Sequence, residues 1–218
     1  MSPKASLSYD DMDDLAPPSP MGKLEMEFAH PEHFMKKFSR DVVPTISGFT
    51  WTFMAASDES APVEMKWNNS DFAESGKDLW LFDVALQRPV NMKTESSYSF
   101  SPGVSKEFKV YYGKDAAEQL KPQRVFLGMP TPNPASGAVS IPFTLPDNSA
   151  QMNVLMEVFD MTGRQVQTLV DKSLPGGFYT AGWDAGASTV GSGFYIVKLA
   201  VSYQDRQEVA ATKLIIHK

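Results

Sequence analysis

VLMEVFDMTGRQVQTLV, residues 154–170, is the stretch on which the fold turns. Val154, Met156 and Val158 recur at every second position, the period of a strand with one buried face. Asp160-Met161-Thr162-Gly163 breaks the alternation with turn residues, and Gly163 can take the positive φ that a tight connection requires. Val166 and Thr168 then resume the alternation, so the stretch reads as a β-hairpin. The same period appears on both sides of it. Val139, Ile141 and Phe143 precede the hairpin, and Tyr195, Val197, Leu199 and Val201 follow it. A last run alternates either as Ala211, Lys213 and Ile215 or as Leu214 and Ile216. Pro175-Gly176-Gly177 and Gly191-Ser192-Gly193 punctuate the runs. About seven short strands in fewer than ninety residues suit a small immunoglobulin-like sandwich.

The N-terminal half has the same grammar. Trp51 and Phe53, then Val63, Met65 and Trp67, then Tyr98 and Phe100, then Phe108, Val110 and Tyr112 all alternate. Leu79-Trp80-Leu81-Phe82-Asp83-Val84 is a compact apolar run, and Ser, Asn, Asp, Gly and Pro clusters such as Ser101-Pro102-Gly103 separate the strands. One short helix is expected near 31–38, where Phe34 and Phe38 stand four apart. The expected architecture is all-β: two β-sandwich domains in series, the C-terminal one immunoglobulin-like. Residues 1–22 read as an acidic, proline-containing disordered linker, 23–113 as the first sandwich, 114–130 as a polar linker and 131–218 as the second sandwich.

The 218 residues include 20 Lys and Arg against 26 Asp and Glu, a formal net charge of −6, which speaks against nucleic acid as a partner. The absence of Cys excludes disulfides, thiolate metal sites and thiol nucleophiles. No apolar run reaches the roughly 18–20 residues of a membrane helix, and MSPKASLSYDD has no signal-peptide core, as expected of a C-terminal fragment of a longer protein. His30 and His33 lie close together, but Pro31 interrupts the helix a paired-histidine metal site requires, and no nucleophile elbow or phosphate loop appears. Asp58 and Glu59 fall in a loop, where solvated charge is the default. No catalytic, cofactor or metal site is therefore expected.

One ordered set of pieces remains. Pro132-Asn133-Pro134 opens the second sandwich; Phe159-Asp160-Met161-Thr162-Gly163-Arg164 closes a strand; Gly177 leads to Trp183-Asp184; Gly193-Phe194-Tyr195 begins another strand; Lys213 and Lys218 lie at the end. In this order and spacing, the last two fifths of the chain resembles the type A C-terminal sorting domain of proteins exported by the type IX secretion system of Bacteroidetes. Thr131 stands where that family often has Tyr. The block before it resembles, more loosely, a β-sandwich often found ahead of such tails.

The resemblance implies a non-catalytic domain recognised by the type IX outer-membrane translocon. It also implies export through the periplasm, removal by a sortase-like protease near 113–131, and attachment of the cargo to surface lipopolysaccharide. The recognition residues it carries over are Pro132, Asn133, Pro134, Asp160, Gly163, Arg164, Gly193, Tyr195, Lys213 and Lys218. Each also has a purely structural reading. The prolines keep a sheet edge unpaired, Gly163 serves a turn, and Arg164 pairs with a carboxylate across the strands. Gly193 admits a close backbone approach or a bulge, Trp183 and Tyr195 fill the core, and a lysine on the final strand blocks edge aggregation. Two other functions predict different things. A structural module, similar to the immunoglobulin-like domain of flagellar hook-cap proteins, predicts edge-to-edge self-association. A carbohydrate-binding accessory domain predicts exposed coplanar aromatics among Trp51, Trp67 and Trp80.

Overall fold

The computed structural model describes all residues except 17–23, 31–36, 58–60, 71, 73–75, 104–105, 148–150 and 188–189. It divides into two units, Met1–Leu120 and Lys121–Lys218, each with its own hydrophobic core. The fold is all-β, apart from one short helix.

Unit 1 contains β1 (Asp14–Leu15), β2 (Glu25–Ala29), β3 (Lys37–Arg40), β4 (Gly48–Ala56), β5 (Val63–Lys66), β6 (Asp78–Asp83), β7 (Arg88–Asn91), β8 (Ser97–Phe100), β9 (Glu107–Gly113) and α1 (Ala116–Gln119). Seven strands form an antiparallel sheet in the order β1-β3-β2-β4-β9-β6-β7, and β5 pairs with β8 in a second, two-stranded sheet. Register places Phe53 opposite Phe108, and Trp51 and Leu81 on either side of Val110, so one face of the large sheet is a continuous apolar surface. Tyr98 and Phe100 of β8 reach it from the other layer: the Phe100 and Phe108 rings meet edge-on at 4.9 Å, and Phe53 stacks on Phe108 at 5.4 Å. The fully buried Asp83 carboxylate accepts the Tyr98 hydroxyl at 3.0 Å and the Leu86 amide at 3.0 Å. Burial and the neighbouring Asp83 charge push the Tyr98 phenol far above its ordinary pKa.

Three expectations for this half differ from what the chain does. Part of the stretch expected as a disordered linker is ordered: Asp14 and Leu15 pair with β3, and three of its carboxylates hold backbone amides or an arginine. Asp10 accepts the Met12 amide, Asp13 the Val42 amide, and Asp14 meets Arg40 at 3.1 Å. The helix expected over 31–38 lies mostly outside the described residues, and its last two, Lys37 and Phe38, are strand. The polar stretch 114–130 supplies α1 to unit 1 and a strand to unit 2, because Ala116 and Leu120 are buried among its hydrophilic residues.

Unit 2 contains β10 (Phe126–Leu127), β11 (Ala138–Leu145), β12 (Met152–Asp160), β13 (Gln165–Leu174), β14 (Gly177–Asp184), β15 (Gly193–Tyr203) and β16 (Arg206–Ile216). The sheets β10-β11-β14 and β13-β12-β15-β16 face each other. Val139, Ile141, Phe143 and Leu145 of one sheet meet Val154, Met156, Val158, Val197, Leu199 and Leu214 of the other, all buried. Of the two readings open for the last strand, Leu214 and Ile216 face the core. Trp183 and Tyr195 are buried and pack edge to face at 6.1 Å. Alternation alone placed these residues, since a one-residue slip would turn every one of them outward.

Candidate recognition site

The turn after β12 is built by one carboxylate. Asp160 accepts the Thr162 amide at 2.9 Å, the Thr162 hydroxyl at 2.6 Å, the Arg164 amide at 3.1 Å and Arg164 Nε at 3.0 Å. The Gly163 amide donates to the Asp160 carbonyl, and Gly163 takes φ +82°, where a side chain would be strained. These hydrogen bonds, led by the Thr162 hydroxyl, pull the Asp160 pKa down from 3.8 to about 2. Arg164 thus pairs within its own turn and not across the strands, because the four-residue turn brings its guanidinium back over the carboxylate.

Register carries this turn to two more strands. Asp160 sits opposite Tyr195 on β15, Tyr195 opposite Leu214 on β16, and Gly193 opposite Ile216. The Tyr195 ring is in the core and its hydroxyl donates to the Gly191 carbonyl at 2.8 Å, fixing the loop ahead of β15. The Lys213 ammonium lies 4.2 Å from the centre of the exposed Phe194 ring. Beyond β16, the Lys218 amide donates to Ser192 Oγ at 2.9 Å, which ties the chain end to the same loop.

The proline motif completes this end of the sheet. The Thr131–Pro132 and Asn133–Pro134 peptide bonds are cis. Between the prolines, Asn133 acts as a side-chain strand: its amide nitrogen donates to the Lys213 carbonyl at 3.0 Å, and its oxygen accepts the Ile215 amide at 2.9 Å. The Ala135 amide donates to the Ile215 carbonyl, and the Ala135 carbonyl accepts the His217 amide. Far from leaving this end of the β16 edge unpaired, the motif pairs with it at Lys213, Ile215 and His217. Residues 132–134, 160–164, 193–195, 213 and 218 thus gather at one end of the four-stranded sheet.

Gly193 is a correction. There is no bulge between β15 and β16 there, and a Cβ would meet only the Tyr195 ring, at 3.9 Å. Lys218 also lies just past the final strand and not within it. Phe194, which carries Lys213, and Ala135, which pairs with Ile215 and His217, belong to this end although the resemblance assigns them no role. For Phe194 the sequence holds a signal, since Phe194 and Ile196 are apolar at the parity opposite to Tyr195 and Val197.

In unit 1, Trp51 and Trp67 are half-buried and share the wall of an apolar cavity of about 280 Å³ with Phe28, Met65 and Met92. The Trp67 indole donates to the Met92 and Glu95 carbonyls, and Trp51 meets Phe49 edge-on. His30 Nε2 lies 3.4 Å from Asp41, while His33, Asp58 and Glu59 fall outside the described residues. Among the described residues no group of three metal-binding side chains forms, and no helix is long and apolar enough to cross a membrane.

The fold and its assembled end define a β-sandwich module of immunoglobulin-like form. Residues 131–217 match the family model described as the secretion system C-terminal sorting domain, and this segment carries the sorting signal of a secreted protein. Such domains mark proteins exported to the cell surface or secreted, and imply interaction with the secretion machinery. Among solved structures, the chain is similar to dimeric latent PorU from Porphyromonas gingivalis, with 16% identity over 77% of this chain and 18% of that one, TM-score 0.36. It is also similar to β-glucuronidases from Parabacteroides merdae (10% identity, 89% of this chain, 35% of that one, TM-score 0.30) and Bacteroides uniformis (12%, 76%, 26%, 0.27). No curated protein matches the sequence.

Proposed function

We propose that unit 2 is a non-catalytic address, gripped in its folded form by the type IX outer-membrane translocon. The protein ahead of it would be carried across the outer membrane, cut free near 113–131 by a sortase-like protease, and attached to surface lipopolysaccharide. One observation carries this reading: four segments far apart in sequence, 132–134, 160–164, 193–195 and 213–218, are brought to one end of a single sheet by strand register and by Asn133. A receptor can read such an assembled surface, which no short linear tag reproduces. The polar atoms there are committed to one another, Asp160 to its turn, Tyr195 to Gly191 and Asn133 to β16, as suits a shape and not a reaction centre.

The test is a fusion of a signal peptide, a fluorescent protein and the whole chain, expressed in a host that carries the type IX machinery. Fluorescence is expected at the cell surface or in the medium. Retention of the folded fusion in the periplasm would overturn the proposal.

A further inference from the structure

The outer face of the four-stranded sheet carries an exposed apolar patch. On β11 and β14 the exposed outward residues are Ala138, Ser140, Thr180, Gly182 and Asp184, polar or small, and the one large apolar side chain of that parity, Phe178, is half-buried. On β15 the inward residues Tyr195, Val197, Leu199 and Val201 are buried, yet the outward positions begin with Phe194 and Ile196. Phe194 is 47% exposed, Ile196 36%, and Val209 of β16 55%. Register builds the patch around the first two: Phe194 lies opposite Ile215 and Ile196 is flanked by Phe159 and Lys213, whereas Val209 lies opposite Ala200, further along the sheet. The first part of β15 is apolar at both parities, the pattern of a strand covered on both faces, and here the outward side of Phe194 and Ile196 is bare, while Lys198, Ala200 and Ser202 follow them. The charges on this face are also uneven. Lys198 has Glu157 directly across from it, whereas Lys213 has Ile196 across from it and rests on the Phe194 ring instead of on a carboxylate.

We infer that this face, centred on Phe194 and Ile196, is where the secretion machinery docks, and that the machinery presents an apolar surface with a carboxylate that takes Lys213. The inference rests on the sorting reading above and adds to it the surface and the partner's chemistry. Protruding aromatics are enriched at the buried centres of protein interfaces, and a lysine seated on such a ring supplies a cation at its edge. The adjoining turn of Asp160 and the Asn133 clamp then act by holding β12, β15 and β16 in register beneath it. A partner carboxylate replaces water around a cation that is already seated over a ring, so affinity depends on the sign of the charge at 213.

The same full-chain fusion tests this in the type IX host. Phe194→Ala combined with Ile196→Thr is expected to lower surface delivery about tenfold or more, while the purified chain keeps the parent's thermal midpoint, since both side chains are exposed. Ser140→Ala with Thr180→Ala, on the opposite sheet, is expected to leave delivery unchanged. Lys213→Glu is expected to block delivery and Lys213→Arg to retain it, and these variants decide the matter should the double variant fold poorly. Delivery of the parent together with undiminished delivery of Phe194→Ala/Ile196→Thr and Lys213→Glu would overturn the docking face and leave the sorting role standing. Retention of the parent itself removes the sorting role and the docking face with it.

Discussion

Asp160 holds its turn through four hydrogen bonds that an ionised carboxylate accepts and a protonated one gives up in part. Its pKa lies near 2 in the folded chain, below the ordinary value of 3.8. A depressed native pKa contributes stability that is fully present above the ordinary pKa and is lost as pH falls through the native one. Asp160→Ala should therefore lower the thermal midpoint at pH 7, and the gap to the parent should shrink as pH drops from 4 towards 2, followed by circular dichroism. A gap that stays constant with pH would mean that the turn depends on shape and not on charge. Asn133→Ala strips two backbone groups of β16 of their partners, and should cost about 1–3 kcal/mol in urea unfolding.

Glycines show how far sequence can be read at the level of elements. Gly176 and Gly193 look alike in the sequence, each in a Gly-rich break before a strand. A Cβ at Gly176 would stand 2.5 Å from the Pro146 carbonyl oxygen and 2.6 Å from Asp147 Cα, whereas at Gly193 it meets only a ring at 3.9 Å. Gly176→Ala should destabilise unit 2 by about 2 kcal/mol or more, and Gly193→Ala should stay within about 0.5 kcal/mol of the parent, both read from urea midpoints. The hairpin of 154–170 and the buried Trp183 and Tyr195 were legible because period and turn chemistry are local. The Asn133 clamp was not, because its partners are 80 and 82 residues away and leave no local pattern. Ala116 and Leu120 were hidden in a polar stretch because two apolar side chains suffice to dock one helical turn.

The whole molecule has two cores with no buried residue in common. Calorimetry of the full chain should resolve two transitions, and residues 121–218 expressed alone should reproduce one of them. A single transition would show that neither core stands without the other. Charge is divided as unevenly as the cores are separate: unit 2 holds eight Lys and Arg against seven Asp and Glu, and unit 1 twelve against nineteen. The acidity of the chain therefore belongs to unit 1, and unit 2 can meet an acidic partner without carrying that repulsion in its own composition.

The reach of Asn133 has a consequence for folding. Its two partners, Lys213 and Ile215, lie 80 and 82 residues away and meet it only once β16 is laid down beside it, with Leu214 and Ile216 entering the core. Closing so long a loop is entropically costly, so this contact forms late. The clamp is thereby a mark of the completed sandwich, absent from any partly folded copy.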